Sequence, residues 1–288
     1  MNATARATEH RALVARLFPQ LGAIASFEPV GGGWTCDTYE VDGTWIVQLP
    51  REPGADARLR TQIEVLPEIA AEVSGAVPEP ELVSLDPAIM GYRKLEGASL
   101  FDAGDDGVWP ERLGRFLYDL HMVPPEYLGM RARGAAALRE ERRSALATMR
   151  ARVFPLLGAA EAGAFGDRFD AYLADDDLWR FATCVTHNDL GPEHILVSPT
   201  GDLAGVLDWE EVGIGDPVWD FAWLLGARPD AGERALAAYG GPPDTGFRAR
   251  GRFSFLLMPW HEVVYGLDTD QEVFVQSGLE GVRARAGA

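Results

Sequence analysis

The spacing of apolar residues changes period several times along the chain, and each change marks an element. Residues 6–17 set Ala12, Leu13, Arg16 and Leu17 on a helical repeat, which predicts an opening helix. Over 27–50 the pattern shortens to β-type runs, Tyr39–Val41 and Trp45–Leu49, on either side of Asp42-Gly43. That dipeptide predicts a two-residue hairpin turn, because both residues tolerate positive φ. Residues 55–73 return to helical spacing through Leu59, Ile63, Leu66 and Ile69, with Pro67 expected to kink or end the helix. Val77–Val83 and Ile89–Lys94 follow as two more strands. Strand, strand, helix, strand, strand is the order of an α+β domain with an antiparallel sheet.

From Glu111 the pattern is mostly helical. Leu113, Phe116, Leu117 and Leu120 form one apolar stripe, and helix-prone stretches follow at 135–157 and 162–174. A short β-rich island interrupts them, with Val185, Ile195–Val197 and Gly205–Leu207 around polar residues, and helices resume at Pro217. The change of pattern falls near Gly97–Trp109, and no internal repeat is present.

Composition narrows the class of function. The 288 residues carry 26 Lys plus Arg and 44 Asp plus Glu, a formal net charge of −18, which argues against a nucleic-acid binder. With 47% hydrophobic and 24% charged residues, the chain is expected to fold around a real core. Cys36 and Cys184 lie far apart with no CxxC spacing, so a reducing compartment is expected rather than a disulfide framework or zinc site. No apolar run reaches the roughly 18 residues needed to span a bilayer. A soluble cytoplasmic protein without membrane partners is the expectation.

The chemistry concentrates in the β-rich island. It reads Thr186-His187-Asn188-Asp189-Leu190-Gly191-Pro192-Glu193-His194-Ile195-Leu196, then Gly205-Val206-Leu207-Asp208-Trp209-Glu210. Asp189 and Asp208 each follow a short apolar strand and sit where the chain turns. Phosphoryl transfer needs such a pair, one carboxylate to orient the attacking hydroxyl and accept its proton, the other to hold Mg²⁺ at the phosphates. His194 stands five residues after Asp189, where protein kinases carry an Asn metal ligand. Imidazole is a poorer Mg²⁺ partner than oxygen, which leaves loop bracing or phosphate contact open to it as well.

His187-x-Asp189 with His194, then Asp208-Trp209, then Gly215-Asp216-Pro217-x-x-Asp220-Phe221, together resemble the aminoglycoside phosphotransferase family. The resemblance runs from about Gly31 to Gly266, and His194 is similar to the residue in its aminoglycoside 2″-phosphotransferase and macrolide phosphotransferase branches. It implies a protein-kinase-like α+β fold. A small nucleotide-binding lobe would span 1–97, with an interlobe linker near 92–97, and a larger helical catalytic and acceptor lobe would span 98–288. It further implies Asp189 as catalytic base, Asp208 as Mg²⁺ ligand, His194 as a catalytic or metal-site residue, and ATP or GTP as donor. Asp216 is expected to cap the amides of the catalytic loop, His187 to hold that loop, and Asp220 to cap or pair at the helix start.

In the small lobe, Gly31-Gly32-Gly33 resembles the glycine loop whose bare backbone approaches phosphate. The strand Trp45–Arg51 resembles the one bearing the phosphate-binding Lys or Arg, but the matching residue is Gln48. The helix Glu that would hold that cation falls at Gln62, or in another register at Glu64. The preferred register implies that a Gln48–Gln62 amide pair replaces the ion pair, with Arg51 or Arg93 as possible sources of the missing charge. Tyr92-Arg93-Lys94 resembles the start of the linker that reads the base through its main chain.

The implied acceptor is a small molecule, an aminoglycoside-like cationic antibiotic. Glu210, Glu211, Glu262 and Asp268 are the acidic candidates for holding it, with Asp270 beside them. Aromatic residues such as Trp219, Phe221 and Trp260 would suit a macrolide, or simply form core. A macrolide or metabolic-alcohol kinase and a nucleotide-binding pseudokinase therefore stay open as alternatives.

Overall fold

The computed structural model describes residues 3–31, 35–52, 54–103 and 106–286. In chain order the first elements are α1 (Ala3–Leu17), β1 (Phe27–Pro29), β2 (Cys36–Val41), β3 (Trp45–Pro50), α2 (Ala55–Glu72), β4 (Leu82–Leu85), β5 (Ala88–Arg93) and β6 (Ala98–Ser99). Helices α3 (Trp109–Met122), α4 (Ala135–Arg152) and α5 (Ala159–Ala174) follow. Next come strands β7 (Cys184–Thr186), β8 (Ile195–Val197), β9 (Leu203–Val206) and β10 (Gly213–Gly215). Helices α6 (Trp219–Ala227), α7 (Pro229–Tyr239), α8 (Phe247–Thr269) and α9 (Glu272–Ala284) end the chain. The contacts fall into two compact units, Met1–Trp109 with Gly191–Val212, and Pro110–Leu190 with Gly213–Ala288. None of the described helices is long and apolar enough to cross a membrane.

The first unit is built on an antiparallel sheet in the order β1-β2-β3-β5-β4, with a second sheet ordered β6-β8-β9. Side chains alternate along β3, so Val47 and Leu49 join Val14, Phe18, Tyr39 and Val41 in one core while Gln48 takes the opposite face. The hairpin between β2 and β3 pairs Val41 with Trp45, which makes its turn three residues long rather than the expected two. Asp42 and Gly43 both have positive φ, and Asp42 Oδ1 accepts hydrogen bonds from the amides of Ala25 and Ser26 at 2.8 and 2.7 Å.

Two further expectations are corrected. Helix α2 runs on through Pro67, which is exposed, so the carbonyl left without its amide partner can turn to water. Residues 77–81 are not strand, since Pro78 and Pro80 have no N–H to give a ladder, and pairing begins only at Leu82.

In the second unit, Trp260 of α8 is fully buried among Phe154, Phe165 and Phe169, with ring centroids 4.8 to 5.7 Å away. Phe221 is likewise core, whereas Trp219 stays half-exposed. Helix α9 packs on α8 at Gly278, where a Cβ would come within 2.8 Å of Val263 N. Trp260 Nε1 is buried with no hydrogen-bond partner among the described residues. Trp260→Ala should therefore destabilise the protein by about 3–5 kcal/mol. Trp260→Phe, which removes the orphan N–H and keeps most of the ring volume, should cost less than half as much in urea unfolding.

Candidate active site

Strand β7 pairs with β10 in the second unit, and beyond Thr186 the chain turns sharply at Asn188, whose φ is +69°. Asn tolerates this left-handed conformation better than most residues. Behind the turn stands Asp220, 1% exposed, in the first turn of α6. Its Oδ2 accepts from the His187 amide at 2.9 Å and its Oδ1 from the Asn188 amide at 2.8 Å. His121 Nε2 lies 3.0 Å from the same Oδ2, and His121 Nδ1 lies 3.0 Å from the Tyr239 hydroxyl. His187, fully buried, takes the Asp189 amide on Nδ1 at 3.3 Å, and the Thr186 hydroxyl donates to Asn188 Oδ1 at 2.8 Å. Asp189 is thereby presented, exposed, at the tip of a loop braced from behind.

The loop amides are capped by Asp220, and not by Asp216 as expected. Asp216 is instead gripped by fully buried Arg250, with Nε 2.6 Å from Oδ2 and Nη2 3.1 Å from Oδ1, while Asp244 takes the other side of the guanidinium. The two acids differ because Asp220 starts α6 beside the turn, whereas Asp216 precedes it and accepts from Val218 N. His121 and Tyr239 were not expected in this network. The one available signal was a histidine on the apolar stripe of α3, four residues after Leu117.

In the first unit, β9 ends at Val206, and Leu207 N donates to His194 O at 2.8 Å. Asp208 follows at φ +60°, and Trp209 pins the turn by burying its ring and donating Nε1–H to Val206 O at 3.0 Å. The Asp208 carboxylate is about one-third exposed and accepts no hydrogen bond among the described residues. His194 Nδ1 stands 3.9 Å from its Oδ2, and His194 Nε2 stands 3.8 Å from Glu193 Oε1, both beyond hydrogen-bond length. The described residues contain no group of three His, Cys, Asp or Glu that would enclose a metal. An open carboxylate suits Mg²⁺, which commonly binds one or two carboxylates and completes its shell with phosphate oxygens and water.

The acidic residues put forward for a cationic acceptor mostly have partners already. Glu210 accepts from the Thr35 hydroxyl, and burial, then the charge of Asp208, pushes its pKa up. Glu211 pairs with Arg58 at 3.2 Å and Asp268 with Arg152 at 2.6 Å, while Glu262 lies within electrostatic reach of Arg285.

Among the nucleotide candidates, Gly31 has φ +71°, while Gly32 and Gly33 lie outside the described residues. Helix α2 buries Gln62 and leaves Glu64 exposed. Gln48 sits between Thr38 and Met90 in the sheet, and its Oε1 is buried without a hydrogen-bond partner among the described residues. The expected amide pair is thus not made through that oxygen, since two neutral amides lack the attraction that draws a Lys–Glu pair together. Arg93 lies 3.7 Å over the Trp45 ring and 3.5 Å from Glu81, Lys94 is 2.6 Å from Glu40, and Arg51 is 3.6 Å from Asp37. Tyr92 is buried, and that burial raises its pKa.

A model of the phosphotransferase enzyme family (APH) matches residues 26–253. The chain belongs to this family. Viomycin phosphotransferase of Streptomyces vinaceus is 35% identical to this chain over 145 residues, 47% of each chain. An uncharacterized protein of Bacillus subtilis (strain 168), YcbJ, is 38% identical over 55 residues, 19% of this chain and 18% of that one. The chain thus spans less than half the length of the curated relatives it matches. In fold it is similar to the GDP complex of wild-type aminoglycoside 2′-phosphotransferase-IIIa, with TM-score 0.83, 22% identity, and 97% and 98% of the two chains covered. It is also similar to macrolide 2′-phosphotransferase MphH from Brachybacterium faecium, with TM-score 0.74, 24% identity and 94% and 97% coverage. The kinase-like α+β architecture, with an antiparallel-sheet N-terminal part and a helical C-terminal part, is that of these enzymes.

Gly215 lies against the brace of the loop that presents Asp189, where a Cβ would fall 2.6 Å from Thr186 Oγ1 and 2.7 Å from Asn188 Oδ1. Gly215→Ala should break the Thr186–Asn188 bond and destabilise the protein by about 1–3 kcal/mol. Gly163→Ala in α5, which meets nothing within 4 Å, should be neutral or stabilising in the same thermal melt.

Proposed function

We propose that this phosphotransferase moves the γ-phosphoryl group of ATP or GTP to a hydroxyl of a small-molecule antibiotic. The observation that supports this most is the exposed Asp189 at the tip of a loop locked by Asp220. A general base must be held still and yet stay open to its substrate. Asp189 orients the acceptor hydroxyl and takes its proton as the new O–P bond forms and the bond to the nucleoside diphosphate breaks. Asp208 holds Mg²⁺, with His194 beside it. Mg²⁺ supplies the charge that neutralises the phosphates. Residues 1–97 act as the nucleotide lobe, 98–288 as the catalytic and acceptor lobe, and the main chain of 92–97 reads the base. The unpaired thiols of Cys36 and Cys184 suit a cytoplasmic setting.

For the acceptor, the net charge of −18 favours an aminoglycoside-like polycation. A second reading, a weakly charged acceptor such as a macrolide, is favoured by the partners already bound to Glu210, Glu211 and Asp268. The viomycin phosphotransferase relative supports an antibiotic acceptor in either case.

Asp189→Asn should lower kcat by about 10²–10⁴-fold with nucleotide affinity barely changed. Near-wild-type turnover would overturn the role of Asp189. Asp208→Ala should abolish Mg²⁺-dependent nucleotide binding in calorimetry. Nucleotide binding without transfer to any antibiotic would instead mark a binding module. Acceptor Kd measured at 0.1 M and 1 M salt should weaken steeply for a polycation, as the Debye length falls from about 10 Å to about 3 Å, and stay flat for a macrolide.

A further inference from the structure

We infer that Arg142, Trp219 and His261 form an acceptor subsite that selects a molecule presenting carbonyl or carboxylate oxygens over a polycation; this rests on the phosphotransferase reading above. Helix α4 carries five arginines. Four are engaged: Arg139 with Asp176 and Leu173 O, Arg143 with Glu140, Arg150 with Asp170, and Arg152 with Asp268. Arg142 alone of the five has no hydrogen bond or ion pair among the described residues. Its guanidinium carbon instead lies 4.2 Å over the ring of half-exposed Trp219.

Burial lowers the pKa of Arg142, and Asp216, the acid within its electrostatic reach, is itself gripped by Arg250, so stacking on an aromatic face offsets only part of the cost of taking this cation out of water. The planar edge of a stacked guanidinium remains able to donate to oxygen acceptors in pairs. His261 of α8 flanks the same indole, with ring centroids 6.4 Å apart. His261 is exposed, and desolvation, followed by the charge of Arg142, lowers its pKa. A neutral imidazole offers one donor and one acceptor without adding charge.

The cluster is joined to the Asp189 loop through α6. Trp219 is the first residue of α6, and the next residue, Asp220, holds the amides of His187 and Asn188. A positive charge so placed repels a polyamine and attracts carbonyl or carboxylate oxygen.

The test uses calorimetric binding of kanamycin, a polyamine, and of erythromycin, a macrolide with lactone and ketone oxygens and a single amine, to the full chain at pH 9.5, where that amine is mostly neutral. Wild type should bind erythromycin the more tightly. Arg142→Glu should weaken erythromycin and strengthen kanamycin, each by about tenfold. Arg142→Gln, which keeps the bulk of the side chain and removes its charge, should move both affinities in the same directions by less, which guards against a folding defect in the reversed-charge variant. Tighter binding of kanamycin by wild type, no binding of erythromycin, or affinities unmoved by both substitutions would overturn the subsite. Binding of MgATP or MgGTP to wild type reports separately on the phosphotransferase reading, and its absence would overturn that reading whatever Arg142 does.

Discussion

One buried carboxylate holds the loop that presents Asp189 in place. Asp220 accepts two consecutive main-chain amides and an imidazole, so a turn that would otherwise leave donors unpaired in the interior is fully answered. Charge-assisted bonds of this kind are the strong ones, and three on one residue leave the loop few alternative conformations. Everything proposed for Asp189 depends on that stillness. The outer ring of the brace, from Thr186 to Asn188 and from His121 to Tyr239, locks the parts that Asp220 does not touch.

The metal candidate is organised on the opposite principle. Asp208 is held by its neighbours, through the buried indole of Trp209 and the Leu207–His194 main-chain bond, while its own oxygens accept no hydrogen bond among the described residues and have only His194 nearby at 3.9 Å. A carboxylate satisfied by the protein would have nothing to give a cation. Gln48 shows a related incompleteness, a buried amide oxygen without a donor among the described residues, where the family resemblance expects a cation. Unsatisfied groups at a ligand site are tolerated when a ligand completes them.

Much of this was legible in the sequence because its signals are local. The Asp42-Gly43 turn, the stripe of α2 and the helix–strand–helix order of the second half follow from period and turn chemistry within windows of a few residues. The spacing of Asp189, Asp208 and Asp220 was equally visible. Partners distant in sequence were not. Nothing in the sequence assigns Arg250 to Asp216 across 34 residues, His121 to Asp220 across 99, or Thr35 to Glu210 across 175. Pro67 misled for a different reason, since a proline ends a helix only where the carbonyl it leaves unpaired cannot reach water.

The pairing of β6 with β8, and the bond from Val206 N to Ala76 O, give the first unit a late-arriving piece. Residues 191–212 belong with residues 1–109, so the chain passes between the units three times. During synthesis the amino-terminal sheet can form early, but its unit stays unfinished until residue 212 has left the ribosome, by which time most of α3 to α5 is already free to fold. The two units therefore mature in an interleaved order, and no single cut in the gene separates one intact unit from the other.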